Sequence, residues 1–138
     1  MKIYFAGAIK GGREDVNLYA EIIALLKQHG QVLTEHLGDP TITTAGQQGQ
    51  GKSASQIFTD DTNWLGEADI VIAEVTQPSL GVGYEIGRAE LLDKKICCLF
   101  RPNTGKSLSA MISGNPKVSV FEYQTVDQLK PYLHTLFK

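Results

Sequence analysis

Two carboxylates and two glycine-rich loops carry the chemistry open to this chain. Glu85 lies in Ser79-Leu80-Gly81-Val82-Gly83-Tyr84-Glu85-Ile86-Gly87-Arg88, shortly after the unbroken run Ala68-Asp69-Ile70-Val71-Ile72-Ala73-Glu74-Val75. That run reads as a buried strand, Gln77-Pro78-Ser79 breaks it, and Val82, Ile86 and Ala89 at helical spacing announce a helix. Glu85 is therefore expected in the first turn of a helix that begins in a Ser/Gly loop. Backbone N–H groups at such a start bind anions and hold a nearby carboxylate ionised. An ionised carboxylate beside an anion cradle is what nucleophilic attack on a sugar phosphate requires. A first-turn acid can also do no more than complement the helix dipole. The row Val82, Glu85, Ala89, Leu92 turns Glu85 inward, however, and favours the chemical role.

Asp61 is the second carboxylate. Around it Ile57, Phe58, Trp64, Leu65 and Ala68 define one helix face, and Asp61 falls near the centre of that stripe while Asp60 falls well off it. An ionisable group there is costly without a partner or a task. The alternative is a buried Asp satisfied by backbone groups. Gly7-Ala8-Ile9-Lys10-Gly11-Gly12-Arg13 matches neither the P-loop nor the dinucleotide fingerprint. It is either a plain tight turn or an anion site, and Lys10 and Arg13 tip it toward an anion. Tyr4 could reach the same place, and His36 is ambiguous, whereas His29 and His134 read as surface residues. No His, Cys or acid spacing suggests a metal, and no Ser–His–acid arrangement emerges. Two inward carboxylates, an anion cradle and a tyrosine point to glycosidic chemistry, one carboxylate attacking the anomeric carbon and the other helping the leaving group take a proton.

The elements that must position these groups alternate. Strands are expected at Lys2–Phe5, Val32–Glu35, Ile70–Val75, Lys95–Phe100 and Val118–Tyr123. Helices are expected from Glu14 to about His29 (stopped by Gly30), from Ser53 or Ser55 to about Glu67, from Gly83 to about Leu92, and over Thr125–Phe137, with a short one at Leu108–Ile112. Leu37 to Lys52 reads as a long polar loop, mobile or a lid. The pattern predicts a single α/β domain over 1–138, a Rossmann-like or flavodoxin-like three-layer sandwich with a five-stranded parallel sheet in the order 2-1-3-4-5. That order opens a crevice between strands 1 and 3, where both glycine-rich loops converge.

The 138 residues suffice for a core without staples, and 42% hydrophobic with 20% charged residues is ordinary for a globular chain. A net charge of −2 argues against nucleic-acid polymers and membrane surfaces as partners. The adjacent Cys97 and Cys98 would point to opposite faces of a strand, so a mutual disulfide is not expected. With no signal peptide or transmembrane stretch, a cytoplasmic location is expected, with the nucleus open to a chain of this size.

Several blocks closely resemble one family. They are Tyr4-Phe5-Ala6-Gly7-Ala8-Ile9-Lys10-Gly11-Gly12-Arg13-Glu14-Asp15, Val32-Leu33-Thr34-Glu35-His36, Asn63-Trp64-Leu65, and Ala73 through Glu85, followed by Cys98 through Pro102 and Leu108-Ser109-Ala110-Met111-Ile112. Together they resemble the nucleoside 2-deoxyribosyltransferases, and within them the branch that hydrolyses 2'-deoxynucleoside 5'-monophosphates. The resemblance implies a homodimer with shared active sites, free of cofactor and metal, that cleaves a nucleoside 5'-monophosphate to free base and deoxyribose 5-phosphate. By that resemblance Glu85 is the nucleophile that forms a covalent deoxyribosyl intermediate, Asp61 the acid serving the base, and Tyr4 the residue that orients the nucleophile. Gly7, Ala8, Ile9, Lys10, Gly11, Ser79 and Gly81 match the phosphate cradle. Ser109 matches a phosphate contact from the other subunit, with Met111 beside it, and His36 matches a position near the base. Ala8 stands where the family usually has Ser, and Lys10 where it usually has Arg, so a hydroxyl is lost and a bidentate fork becomes a point charge. The competing readings are a transferase that passes the sugar to another base, and a nucleotide sensor without catalysis. The transferases resemble one another in an Asp six positions before the nucleophile; Ser79 stands there instead and would tolerate a phosphate.

Overall fold

The computed structural model describes residues 1–9, 15–42 and 51–138. Five strands, β1 (Lys2–Ala6), β2 (Gln31–Val32), β3 (Ile70–Glu74), β4 (Lys95–Phe100) and β5 (Val118–Glu122), form one parallel sheet in the order β2-β1-β3-β4-β5. The helices are α1 (Val16–Leu26), α2 (Ala54–Glu67), α3 (Leu80–Leu91), α4 (Ala110–Ser113) and α5 (Leu129–Leu136). This is the expected α/β sandwich and strand order.

Strand alternation splits the core into two layers. Ile3 and Phe5 of β1 with Ile70 and Ile72 of β3 pack under Tyr19, Ile22 and Leu26 of α1 and Leu129 and Leu133 of α5. Tyr4, Ala6, Val71 and Ala73 point the other way, onto Leu65 of α2 and Val82, Ile86 and Ala89 of α3. Cys97 and Cys98 follow the same rule, one to each layer, and both are free and buried.

Several boundaries differ from expectation, each for a local reason. Strand β2 is two residues long rather than four, because Thr34 leaves the ladder. Its hydroxyl donates to the Phe5 carbonyl at 2.6 Å and accepts the Phe5 N–H at 2.9 Å, standing in for a backbone partner. The chain then winds through a 3₁₀ turn at Glu35–Gly38. Helix α1 spans fewer residues than predicted. Its last turn closes at Lys27, and Gly30 is required instead by a close approach, since a Cβ there would lie 2.3 Å from the Met1 carbonyl oxygen. Ser53, not Ser55, caps α2 in a reciprocal pair with Gln56. Helix α5 is shorter than the predicted Thr125–Phe137, its first part being a 3₁₀ turn at Val126–Gln128. Ser109 caps α4, accepting the Met111 N–H at 3.2 Å. Half of the predicted polar loop, at 43–50, lies outside the described residues, as do Lys10 and Gly11 of the glycine-rich loop.

Candidate active site

The site is assembled where the chain leaves β1 and β3. Tyr4, the central residue of β1, faces the α2/α3 layer and is 1% exposed. Helix α3 begins at Leu80, three residues earlier than predicted, because the Ser79 hydroxyl accepts the Val82 N–H at 3.3 Å and caps it. Glu85 therefore sits in the second turn and not the first, which removes the helix-end argument for its ionisation. The cap also changes the anion cradle. Val82 N–H is held by the Ser79 hydroxyl and Gly83 N–H by the Ser79 carbonyl at 3.1 Å. The N–H groups of Leu80 and Gly81 remain to face a ligand, as at any helix start. Gly81 stands between the two groups of interest, a Cβ there lying 3.8 Å from both Glu85 Oε1 and Ser79 Oγ.

Glu85 and Asp61 face each other across a cavity of about 310 Å³ between α2 and α3, walled by Ile57, Phe58, Leu65 and Tyr84. The structure brings Asp61, Gly81 and Glu85 together as the sequence implied, and Tyr4 reaches Glu85 from the sheet, its hydroxyl donating to the carboxylate. Oδ1 of Asp61 is buried with no hydrogen-bond partner among the described residues. Burial among these apolar walls pushes the Glu85 carboxyl up to about 7, against the Tyr4 hydrogen bond that lowers it and with the Asp61 charge that raises it further. Burial likewise pushes Asp61 up to about 6; Lys52 opposes this and Asp60 adds to it. The Tyr4 hydroxyl is raised well above the ordinary phenol range by burial and by the two carboxylates. Lys52 lies 2.8 Å from Asp60 and 5.8 Å from the centre of the Trp64 ring.

Other predicted site residues are placed elsewhere. His36 sits beside Trp64, ring centres 5.8 Å apart, and does not line the Glu85 cavity. Ser79, Ser109 and Met111 line a second, larger cavity of about 630 Å³ on another face of α3. Ser109 thus does not face Glu85 within one chain. Gly7 packs on Tyr19, and Ala8 is fully buried. The stripe assigned to the α2 core is only partly core: Leu65 and Ala68 are buried, while Phe58 is 51% exposed at the cavity mouth. There Arg88 lies 5.6 Å over its ring and donates to the Tyr84 hydroxyl at 2.9 Å. Sequence reasoning passed over this rim, though the i,i+4 spacing of Tyr84 and Arg88 was its one visible signal. It also passed over the walls contributed by Ile57 and Tyr84.

The arrangement provides two desolvated carboxyl groups of different pKa, a phenol bonded to one of them, and a capped helix start nearby. Comparisons with known proteins are consistent with that chemistry. The model of the nucleoside 2-deoxyribosyltransferase family matches residues 3–120. A 5-hydroxymethyl-dUMP N-hydrolase of Rattus norvegicus is 53% identical over 120 residues, covering 87% of this chain and 73% of that protein. One of Danio rerio is 46% identical across 100% of this chain and 99% of its own. A putative 2'-deoxynucleoside 5'-phosphate N-hydrolase of Trichoplax adhaerens is 52% identical over 81% of this chain and 74% of its own. Among solved structures, a Clostridium botulinum CMP N-glycosidase superposes over 99% of both chains with a TM-score of 0.65 at 21% identity, a likeness of fold.

Proposed function

The chain belongs to the nucleoside 2-deoxyribosyltransferase family, and from that premise we propose that it hydrolyses the N-glycosidic bond of 2'-deoxynucleoside 5'-monophosphates through a covalent intermediate on Glu85. The observation that carries the reading is the carboxylate pair about one cavity, Glu85 hydrogen-bonded to Tyr4 and Asp61 with a buried oxygen that has no partner among the described residues. Such groups are expensive to keep and are retained where a reaction uses them.

In this mechanism Glu85 attacks C1' of the sugar. The C1'–N bond breaks, its electron pair goes to the base, and Asp61 supplies the proton that the departing base takes up. A deoxyribosyl ester on Glu85 results. Water then attacks C1', Asp61 takes the water proton, and Glu85 leaves as carboxylate, returning the site to its starting state with deoxyribose 5-phosphate released. The reactive form holds its proton on Asp61. The two groups exchange that single proton, because their pKa values lie close together near 6 and 7. Tyr4 supports the ionised nucleophile, and Ser79 with the N–H groups of Leu80 and Gly81 takes the phosphate.

We assign the second cavity to a partner subunit. Leu80 is 97% and Met111 82% exposed beside it, an apolar surface that a homodimer would cover, bringing Ser109 to the partner's phosphate. The test is a panel of deoxynucleoside and ribonucleoside monophosphates, 5-hydroxymethyl-dUMP included, with the matching nucleosides and an acceptor base. Release of base from monophosphates alone is expected. Equal cleavage of nucleosides, or transfer of the sugar to the added base, would replace the hydrolase reading by the transferase one. For the shared site, mixing Glu85→Gln with Ser109→Arg chains under exchanging conditions is expected to recover activity that neither homodimer has; no recovery sinks it.

A further inference from the structure

We propose that Arg101, Thr76 and Asp15 form a strut that holds the phosphate end of the crevice in its binding shape, with Arg101 as a positioning residue. The proposal rests on the monophosphate reading above, and none of these three residues has a part in the chemistry just described.

Arg101 follows β4, where the chain leaves the sheet at the crevice edge. Its backbone N–H donates to the Thr76 hydroxyl at 2.9 Å. Its side chain splits: Nε donates to Glu74 Oε2 at 3.3 Å, and Nη2 to Asp15 Oδ2 at 2.5 Å. Glu74 is 0% exposed, accepts the Thr76 N–H on Oε1 at 2.8 Å, and takes the Tyr123 hydroxyl on Oε2. One buried carboxylate and one guanidinium thus bind both segments that lead into the site.

Each segment has a direct connection to the cradle. Thr76, 2% exposed, is three residues before Ser79, the cap of α3. Asp15 occupies the N-cap position of α1, and its carbonyl accepts the Tyr19 N–H at 2.8 Å. The Tyr19 ring packs against Gly7 so closely that a Cβ on Gly7 would lie 2.8 Å from Cζ. Gly7 is where the chain leaves β1. The route therefore runs from the guanidinium through Asp15 and Tyr19 to one loop, and through Thr76 to the other.

A buried ion pair adds little net stability compared with apolar residues of the same size, so stability alone is a weak reason for this one. The planar guanidinium instead fixes direction, because its donors are set in a rigid fork. A cradle held in advance spares the ordering that a loose loop would undergo on binding. Loss of the strut should accordingly weaken phosphate binding more than it slows the chemistry.

Asp15→Asn and Thr76→Val test this without disturbing the Glu74–Arg101 pair. Weakening the charge-assisted bond at Asp15, or removing the neutral one at Thr76, is expected to raise KM for a cleaved deoxynucleoside monophosphate about 10- to 100-fold, with the larger rise at Asp15 and kcat within about threefold. Protection of the protein from thermal unfolding by inorganic phosphate should fall in step, while the melting temperature without phosphate stays near that of the wild type. Arg101→Lys should behave like Asp15→Asn, since a point charge cannot serve Glu74 and Asp15 together. Variants with wild-type KM and phosphate protection overturn the strut, as do variants that lose stability and kcat while KM stays put. If the wild type cleaves monophosphates and the variants match it, the strut fails alone. A wild type that neither cleaves monophosphates nor is protected by phosphate overturns the substrate reading and the strut together.

Discussion

Two acidic groups stand at the same edge of the sheet, on opposite faces, and they are treated in opposite ways. On the α1/α5 side, Glu74 has three donors, the Thr76 N–H, the Arg101 guanidinium and the Tyr123 hydroxyl, and Asp15 holds the other end of that guanidinium. On the α2/α3 side, Glu85 has one tyrosine hydroxyl, and Asp61 has an oxygen with no partner among the described residues. Glu74 is fully buried while Glu85 and Asp61 line a cavity, and the two sides differ above all in the partners each acid is given. A carboxylate with donors on both oxygens can hold a structure but has little left to give a substrate. One left short is displaced in pKa toward neutrality, where it can gain or lose a proton during turnover.

The comparison is broken most severely at Glu85. Glu85→Gln keeps the shape, removes the nucleophile and should lower turnover about 10⁴-fold or more in steady-state assays. Stability should move the other way. The folded carboxyl is raised to about 7 against an ordinary 4.5, so the native state holds a proton that the unfolded state releases. Glu85 thus costs nothing below pH 4.5, and its cost grows as pH rises toward 7. Urea titrations should find Glu85→Gln more stable than wild type at pH 8 and equal to it at pH 4. A variant less stable at pH 8 would mean that Glu85 is held like Glu74.

Asp61→Asn comes next, with a loss of about 10²–10⁴-fold, larger for bases that leave poorly. The wild-type profile of kcat/KM should peak between about 6 and 7, where the pair shares one proton. In Asp61→Asn only Glu85 titrates, so activity should rise with pH and not fall again. An unchanged bell would assign the alkaline limb to another group.

On the other face the effect is on stability. Arg101→Leu strands the buried Glu74 charge and should cost about 3–5 kcal/mol by denaturant unfolding. A loss under about 1 kcal/mol would show that Thr76 and Tyr123 satisfy Glu74 unaided and would erase most of the contrast between the faces.

What the sequence disclosed follows from the same contrast. Strand order was legible because alternating strands and helices allow few crossover arrangements, and the inward placement of Glu85 and Asp61 because it rests on local periodicity. The start of α3 was not, since three glycines in seven residues masked a helix that one Ser79 hydroxyl initiates. The end of β2 was hidden in the same way by the Thr34 side chain, which displaces a backbone partner. The Glu74 cluster left no trace at all. Arg101 is 27 positions from Glu74 and 86 from Asp15, and pairings across such separations have no periodic signature. The cavity rim was misread because an apolar stripe looks the same whether it meets a core or an opening, as Phe58 illustrates.

The smallest expected effect sharpens the comparison by making the poorly served side poorer still. Tyr4→Phe removes the donor that holds down the Glu85 pKa, and it leaves the buried ring packed among the same apolar neighbours. The Glu85 carboxyl should then titrate above 7. In the singly protonated site the proton would sit on Glu85 more often and on Asp61 less often, so the reactive arrangement becomes rarer. A bond of this kind is worth about 1–1.5 kcal/mol, so the summit of kcat/KM should fall about tenfold. The alkaline limb should move up by about one pH unit, because one unit corresponds to nearly the same free energy. Stability should drop by a similar small amount at pH 8 and be unchanged at pH 4, where Glu85 is protonated with or without the tyrosine. A pH–rate profile from 5 to 9 reads both quantities. A lower summit with an unmoved limb would mean that Tyr4 acts on the substrate rather than on Glu85.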